Sequence, residues 1–145
     1  MKKYFWIALL GVFILCSAAH AELIDNGDGT VTDTVTGLMW QQEEAGVMTW
    51  EAALAYCENL ELPTGKYTDW RLPNRNELQS LVDYSQYGPA IDIVRFPEAE
   101  SPACWSSTTY ASNTDYAWYV SFRSGDVYYG YKSSNYDVRA VRSGQ

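Results

Sequence analysis

Ten aromatic residues crowd the stretch from Cys104 to Tyr136: Trp105, Tyr110, Tyr116, Trp118, Tyr119, Phe122, Tyr128, Tyr129, Tyr131 and Tyr136. Rings at this density favour extended chain, because aromatic side chains pack well on a pleated surface and successive residues point to opposite faces. The pattern divides into runs at Cys104–Thr109, Tyr116–Phe122, Val127–Tyr131 and Val138–Arg142, and Arg123-Ser124-Gly125-Asp126 reads as a hairpin turn between two of them. An antiparallel sheet is therefore expected at the C-terminal end. Within the second run Tyr116, Trp118, Val120 and Phe122 share one face by parity, and Trp105, Trp118 and Phe122 are the expected core members. One sheet face cannot bury all ten rings, so some tyrosines must meet water.

The preceding segments carry different signals. Asp25-Asn26-Gly27-Asp28-Gly29 is turn chemistry, and with Thr30-Val31-Thr32, Thr36-Gly37 and Leu38-Met39-Trp40 it predicts an N-terminal β-hairpin. The aspartate spacing does not match a calcium-binding loop, so no metal is expected there. Trp50, Ala53, Leu54, Cys57 and Leu60 fall on one helix face behind Thr49 as N-cap. Asn74 with Glu77 three positions on forms the capping-box signature of a second helix, whose buried face is Leu78, Leu81 and Val82. From Tyr84 to Pro102 the chain reads as a long ordered connection pinned by Ile91, Ile93 and Phe96. Hairpin, two helices, long loop and C-terminal antiparallel sheet together make an α+β domain.

Lys2 and Lys3, an apolar stretch from Trp6 to Leu15 and the small residues ending in Ala19-His20-Ala21 form the three-part pattern of a secretory signal peptide cleaved after Ala21. Residues 22–145 then form one domain, placed in the periplasm or outside the cell and not inserted in a membrane. Its eight basic residues against eighteen acidic ones leave a net charge of −10, a surface that repels nucleic-acid backbones. The only histidine, His20, belongs to the leader, so the mature chain has no Ser-His or Cys-His chemistry. No cofactor is expected. An even pair of cysteines, Cys57 and Cys104, in an exported chain reads as a disulfide of about 4 kcal/mol by loop entropy; two separately buried thiols are the alternative.

Trp70-Arg71-Leu72-Pro73-Asn74-Arg75-Asn76-Glu77-Leu78, Cys104-Trp105-Ser106-Ser107-Thr108 and Val138-Arg139-Ala140-Val141-Arg142 together resemble a bacterial domain family of unknown function. That family includes the C-terminal domain of a collagen-like adhesin, the Lcl C-terminal type. Asp28-Gly29-Thr30-Val31-Thr32-Asp33 and Thr36-Gly37-Leu38-Met39-Trp40 extend the resemblance over nearly the whole mature chain. Arg71-Leu72-Pro73 also looks like the corresponding segment of formylglycine-generating enzymes, and the resemblance implies a C-type lectin-like fold. The paired late cysteines of those enzymes have no counterpart after Cys104, and the sugar-binding triplets of calcium-dependent lectins are missing. The adhesin's domain is associated with sulfated polysaccharides, which favour a basic surface, whereas this domain is acidic.

These readings point to a non-catalytic binding or adhesion module for a glycan or a cell-envelope protein. Two alternatives are a subunit of an exported assembly with an aromatic interface and an enzyme of the sulfatase-modifying type. Tyr110, Tyr128, Tyr131 and Tyr136 are the expected recognition residues, with Asn113, Lys132 and Asn135 supplying hydrogen bonds. Arg71 and Arg142 are read as structural.

Overall fold

A computed structural model describes residues 22–100 and 103–144; the expected leader, residues 1–21, lies outside them. The N-terminal strands β1 (Leu23–Asp25), β2 (Thr30–Asp33) and β3 (Leu38–Gln41) form the expected hairpin with one further strand beside it. Asp33 makes the hairpin turn: its carboxylate accepts from the Val35 and Thr36 amides at 2.9 and 3.1 Å, and its carbonyl accepts from Gly37 at 2.9 Å. Gly37 sits at φ 71°, a left-handed conformation that side chains resist.

Both helices start where their caps place them. Thr49 caps α1 (Trp50–Glu58), which buries Ala53 and Cys57. Asn74 and Glu77 form a complete capping box on α2 (Arg75–Gln79). Arg71 grips the same Glu77 carboxylate through two 2.7 Å hydrogen bonds, so the strand-like segment before Pro73 is tied to the helix it leads into. This pair and the Asn74 amide hold Glu77 below the usual carboxylate range.

The C-terminal strands are β4 (Cys104–Thr109), β5 (Tyr116–Ser121) and β6 (Asp126–Tyr131), an antiparallel sheet in that order. The last run departs from expectation. Residues 138–140 are not strand, and β7 (Val141–Ser143) pairs with β3, placing Val141 opposite Trp40. The chain therefore closes on its own first sheet, in the order β1-β2-β3-β7.

Each face of the β4-β5-β6 sheet meets a different core. Val120, Phe122 and Cys104 join Val31, Trp40, Leu78, Ile91, Phe96 and Val141, while Ala117 and Trp105 join Ala53, Cys57, Trp70, Leu72, Val138 and Ala140. Fully burying one such aliphatic or aromatic side chain contributes about 1.5–3 kcal/mol, so both cores matter to a domain of this size. The long connection is held as a loop by backbone bonds to the β5–β6 turn, Gly88 to Arg123 at 2.8 Å and Ala90 to Phe122 at 2.6 Å. Ile91 and Phe96 are fully buried, but Ile93 is exposed and does not pin it.

Arg139 locks this arrangement from inside. Its side chain is fully buried over the Phe96 ring, donates to the carbonyls of Gln41 and Gln42, and pairs with Glu44 at 3.2 Å. Burial pulls its pKa down and Glu44 pushes it back up. Gln41 adds to the lock, accepting from the Ala140 amide at 3.1 Å and donating to the Tyr56 hydroxyl at 2.8 Å.

The expected bridge between Cys57 and Cys104 is corrected: both thiols are free and buried. The physical reason is that α1 turns Cys57 into one core while the first residue of β4 carries Cys104 into the other. Burial pushes the Cys57 thiol up to about 12 and the Cys104 thiol higher still, which suppresses thiolate reactivity.

This packing has two testable consequences. Arg139→Met should lower unfolding free energy by about 3–5 kcal/mol in a denaturant titration, because Glu44 and two carbonyls lose their buried partner; an unchanged midpoint would contradict the lock. In protein beginning at Glu22, thiol reagents should label neither cysteine in the native state and both after unreduced denaturation, whereas no labelling after denaturation would establish the bridge.

Candidate functional site

The register of β5 with β6 decides which rings emerge together. Tyr116 lies opposite Tyr131, Trp118 opposite Tyr129 and Val120 opposite Val127, so these six share one face. Its Val120 end enters the core. At the other end Tyr129 and Tyr131 are 47% and 56% exposed, and Trp118, expected in the core, is only partly buried and belongs to neither core cluster. Trp118 shares its strand parity with Val120, yet lies beyond the edge of the core that the face enters.

A tight return between β4 and β5 adds a fifth ring. The Tyr110 amide donates to the Tyr116 carbonyl at 2.9 Å, and Asn113 bonds back to Tyr110 at 3.2 Å. Tyr110 then stacks on Tyr129 with centroids 4.2 Å apart and planes within 6°. Trp118 meets these two rings edge-on at 5.3 and 5.5 Å, and Tyr116 lies against Tyr131 at 4.1 Å. The Tyr116 phenol is pushed up to about 12, chiefly by its hydrogen bond with Tyr131. Arg75 from α2 sits over Trp118 at 4.8 Å. Such contacts each contribute about 0.5–1.5 kcal/mol and hold the rings in one arrangement, so the ledge is preformed.

A polar cleft of about 480 Å³ opens where the ledge ends, lined by Glu51, Thr114, Asp115, Tyr131, Lys132 and Ser133. A larger hollow of about 580 Å³ lies elsewhere, among Gly88, Pro89, Ile93, Pro97, Phe122 and Arg123. Its wall includes Glu100, next to residues 101–102, which are not described. The ledge rather than this hollow gathers convergent aromatic and hydrogen-bonding groups.

Residues 29–142 match the Lcl C-terminal domain. The chain belongs to this family. Curated proteins give no match. The matched span contains the four arginines of the motif segments, and three have a structural duty, Arg71 on Glu77, Arg139 in the core, and Arg142 on Asp69 at 2.7 and 3.1 Å with its guanidinium over Tyr67, while Arg75 lies over Trp118. In this Lcl C-terminal domain the family motifs therefore hold the scaffold, and the ledge is carried by the aromatic strands between them.

The residues expected at the site do not all converge. Tyr110 and Tyr131 stand on the ledge. Tyr128 is half-exposed on the opposite sheet face beside Tyr119, with its hydroxyl donating to Asp126 at 3.3 Å. Lys132 lines the cleft, but its ammonium donates to Thr109 at 3.1 Å and lies 3.9 Å from the Trp50 ring centroid. Asn113 is exposed, with its side chain accepting from the Asp115 amide at 3.0 Å, and Asn135 is exposed.

Tyr136 is placed for packing. Its backbone exchanges two hydrogen bonds with Met48 at 3.0 and 3.1 Å, and its ring lies 4.5 Å from Trp105 and 4.4 Å from Tyr119. It also covers Gly130 so closely that a Cβ there would stand 2.8 Å from the phenol oxygen. Sequence reasoning missed Tyr116, Trp118 and Tyr129 as surface residues. The signal was available in the hairpin turn, since pairing Ser121 with Asp126 brings Trp118 opposite Tyr129.

Tyr136→Ala should therefore cost about 2 kcal/mol or more in a thermal or denaturant melt, and Gly130→Ala should also destabilise through the clash with Tyr136. Tyr128→Ala should change stability by less than about 1 kcal/mol. Equal effects of Tyr136→Ala and Tyr128→Ala would show that Tyr136 does not pack as described.

Proposed function

We propose that this domain is a non-catalytic binding module of an exported, adhesion-like protein, and that it takes a glycan or envelope-protein ligand on the ledge of Tyr110, Tyr116, Trp118, Tyr129 and Tyr131. The observation that carries this reading is a set of rings that brace one another and still leave Tyr129 and Tyr131 about half exposed. Aromatic rings with hydroxyl tips provide large contact area at small entropic cost, which suits a recognition surface. Membership of the Lcl C-terminal domain family supports an adhesion-like role. The C-type lectin-like fold and the periplasmic or extracellular location belong to the same proposal. The first is supported by two helices that lie in chain order between a sheet joining both described ends of the chain and a smaller sheet, the second by the leader pattern.

The non-catalytic reading is supported by the chemistry available. Both mature thiols are buried and held protonated, and the mature sequence contains no histidine. A self-assembly role has one observation in its favour: β6 is the edge strand of its sheet and carries three exposed tyrosines. Sedimentation of the purified protein separates the two, since the assembly reading requires a concentration-dependent oligomer.

The ledge reading is tested with the double variant Tyr129→Ala/Tyr131→Ala in adhesion to cell-envelope extracts. Binding should fall at least about tenfold, as interface tyrosines commonly contribute about 1–2 kcal/mol each. The variant should stay folded with a lowered melting temperature, because the ring contacts of both residues are lost but neither belongs to a core cluster. Full binding by a folded double variant would place the site elsewhere.

A further inference from the structure

The ledge sits in a molecule whose cations are already committed. Arg71, Arg139 and Arg142 hold carboxylates. Arg75, Lys132 and Lys66 lie against the rings of Trp118, Trp50 and Tyr67, and Arg95 donates to the Leu23 carbonyl at 2.9 Å. Arg123 lies on the β5–β6 turn, at the core end of the sheet face and away from Tyr116 and Tyr131. A polyanion needs a row of cations free to approach it, and the ledge has none among the described residues: Arg75 alone reaches it, with its guanidinium on the Trp118 ring.

The cleft that continues the ledge points the same way. It presents the carboxylates of Glu51 and Asp115, the hydroxyls of Thr114, Ser133 and Tyr131, and the Lys132 ammonium held on Thr109 and the Trp50 ring, around a volume of about 480 Å³. Carboxylates accept hydrogen bonds from sugar hydroxyls and protein hydroxyls both donate and accept them, while the apolar face of a pyranose ring suits an aromatic wall. A sulfate or uronate at the same place would face two carboxylates against the single ammonium of Lys132, inside a domain of net charge −10, an arrangement with net Coulomb repulsion.

Resting on the ledge as the binding face, we propose that its ligand is an uncharged polysaccharide, with one sugar ring in the cleft against Tyr131 and the next rings over Tyr129 and Tyr110. Affinity then comes from ring stacking and hydroxyl hydrogen bonds, and salt has little hold on it. Asp115 orients the sugar in the cleft through its hydroxyls.

The test is a titration of the purified protein with a panel of uncharged glucans, mannans and galactans and the chemically sulfated form of each, from low to near-molar salt. At least one uncharged member should bind, sulfation of that member should weaken binding about tenfold or more, and affinity should stay nearly constant with salt. Asp115→Asn should weaken the uncharged ligand modestly, and Tyr129→Ala/Tyr131→Ala should abolish most of its binding. Tighter binding of the sulfated forms, lost as salt rises and lost again in the tyrosine variant, would overturn the ligand class and leave the ledge in place. Uncharged ligand bound equally well by the tyrosine variant would overturn the ledge itself. No binding to any saccharide would overturn the proposal and direct the search to a protein partner.

Discussion

The fold depends on a buried cation. Arg139 enters the core from the segment just before β7 and neutralises there the carbonyls of Gln41 and Gln42 and the carboxylate of Glu44. A charge in that place has a large desolvation cost, and removing either side of the interaction leaves the other stranded. Its position fixes the neighbouring residues on either side. Val138 and Ala140 are set into one core and Val141 into the other, while Asp137 exchanges backbone bonds with Ala103 and Trp105 at 3.0 and 2.9 Å. Those two bonds seat the start of β4, and β4 seats the β5–β6 hairpin that carries the ledge. The path from a buried arginine to an exposed row of tyrosines is short.

The same economy of charge shapes the surface. Residues 22–145, with eighteen carboxylates and eight cations, use most of the cations to hold their own parts together. Arg123 and Lys66 apart, the groups left outside are hydroxyl, amide, carboxylate and ring. On the proposed reading such a surface discriminates by shape and hydrogen bonding, and its net negative charge disfavours polyanions over a range of several ångströms. The ledge rings brace one another before any ligand arrives, which reduces the ordering cost of binding.

Local signals in the sequence were reliable where a few neighbouring residues decide the structure. Thr49 and the Asn74–Glu77 box place the helices, and the β-branched and aromatic alternation places β4, β5 and β6 almost to the residue. The features that were not legible depend on partners far along the chain. Val138–Arg142 has a strand-like composition, but whether it extends the C-terminal sheet or returns to β3 is decided by Arg139 meeting Gln41 and Glu44, nearly a hundred residues away. Cys57 and Cys104 both point inward as their periodicity implies, yet inward means two different cores. At the site, counting rings showed that some tyrosines must be exposed. Which ones required the hairpin register and the packing of Tyr136 on Gly130, and these put Tyr116, Trp118 and Tyr129 on the ledge and withdrew Tyr136 from it.

In the proposed mechanism of recognition, a preformed face of tyrosines on β5, β6 and the return before β5 makes the contact with ligand. The direct check is to follow the aromatic ring resonances of the protein by NMR during titration with an uncharged oligosaccharide that binds. The signals of Tyr110, Tyr116, Trp118, Tyr129 and Tyr131 should shift together while those of Tyr84, Tyr87 and Tyr136 stay in place. Shifts centred on Tyr84 and Tyr87, with the ledge rings unmoved, would contradict a contact made by the ledge.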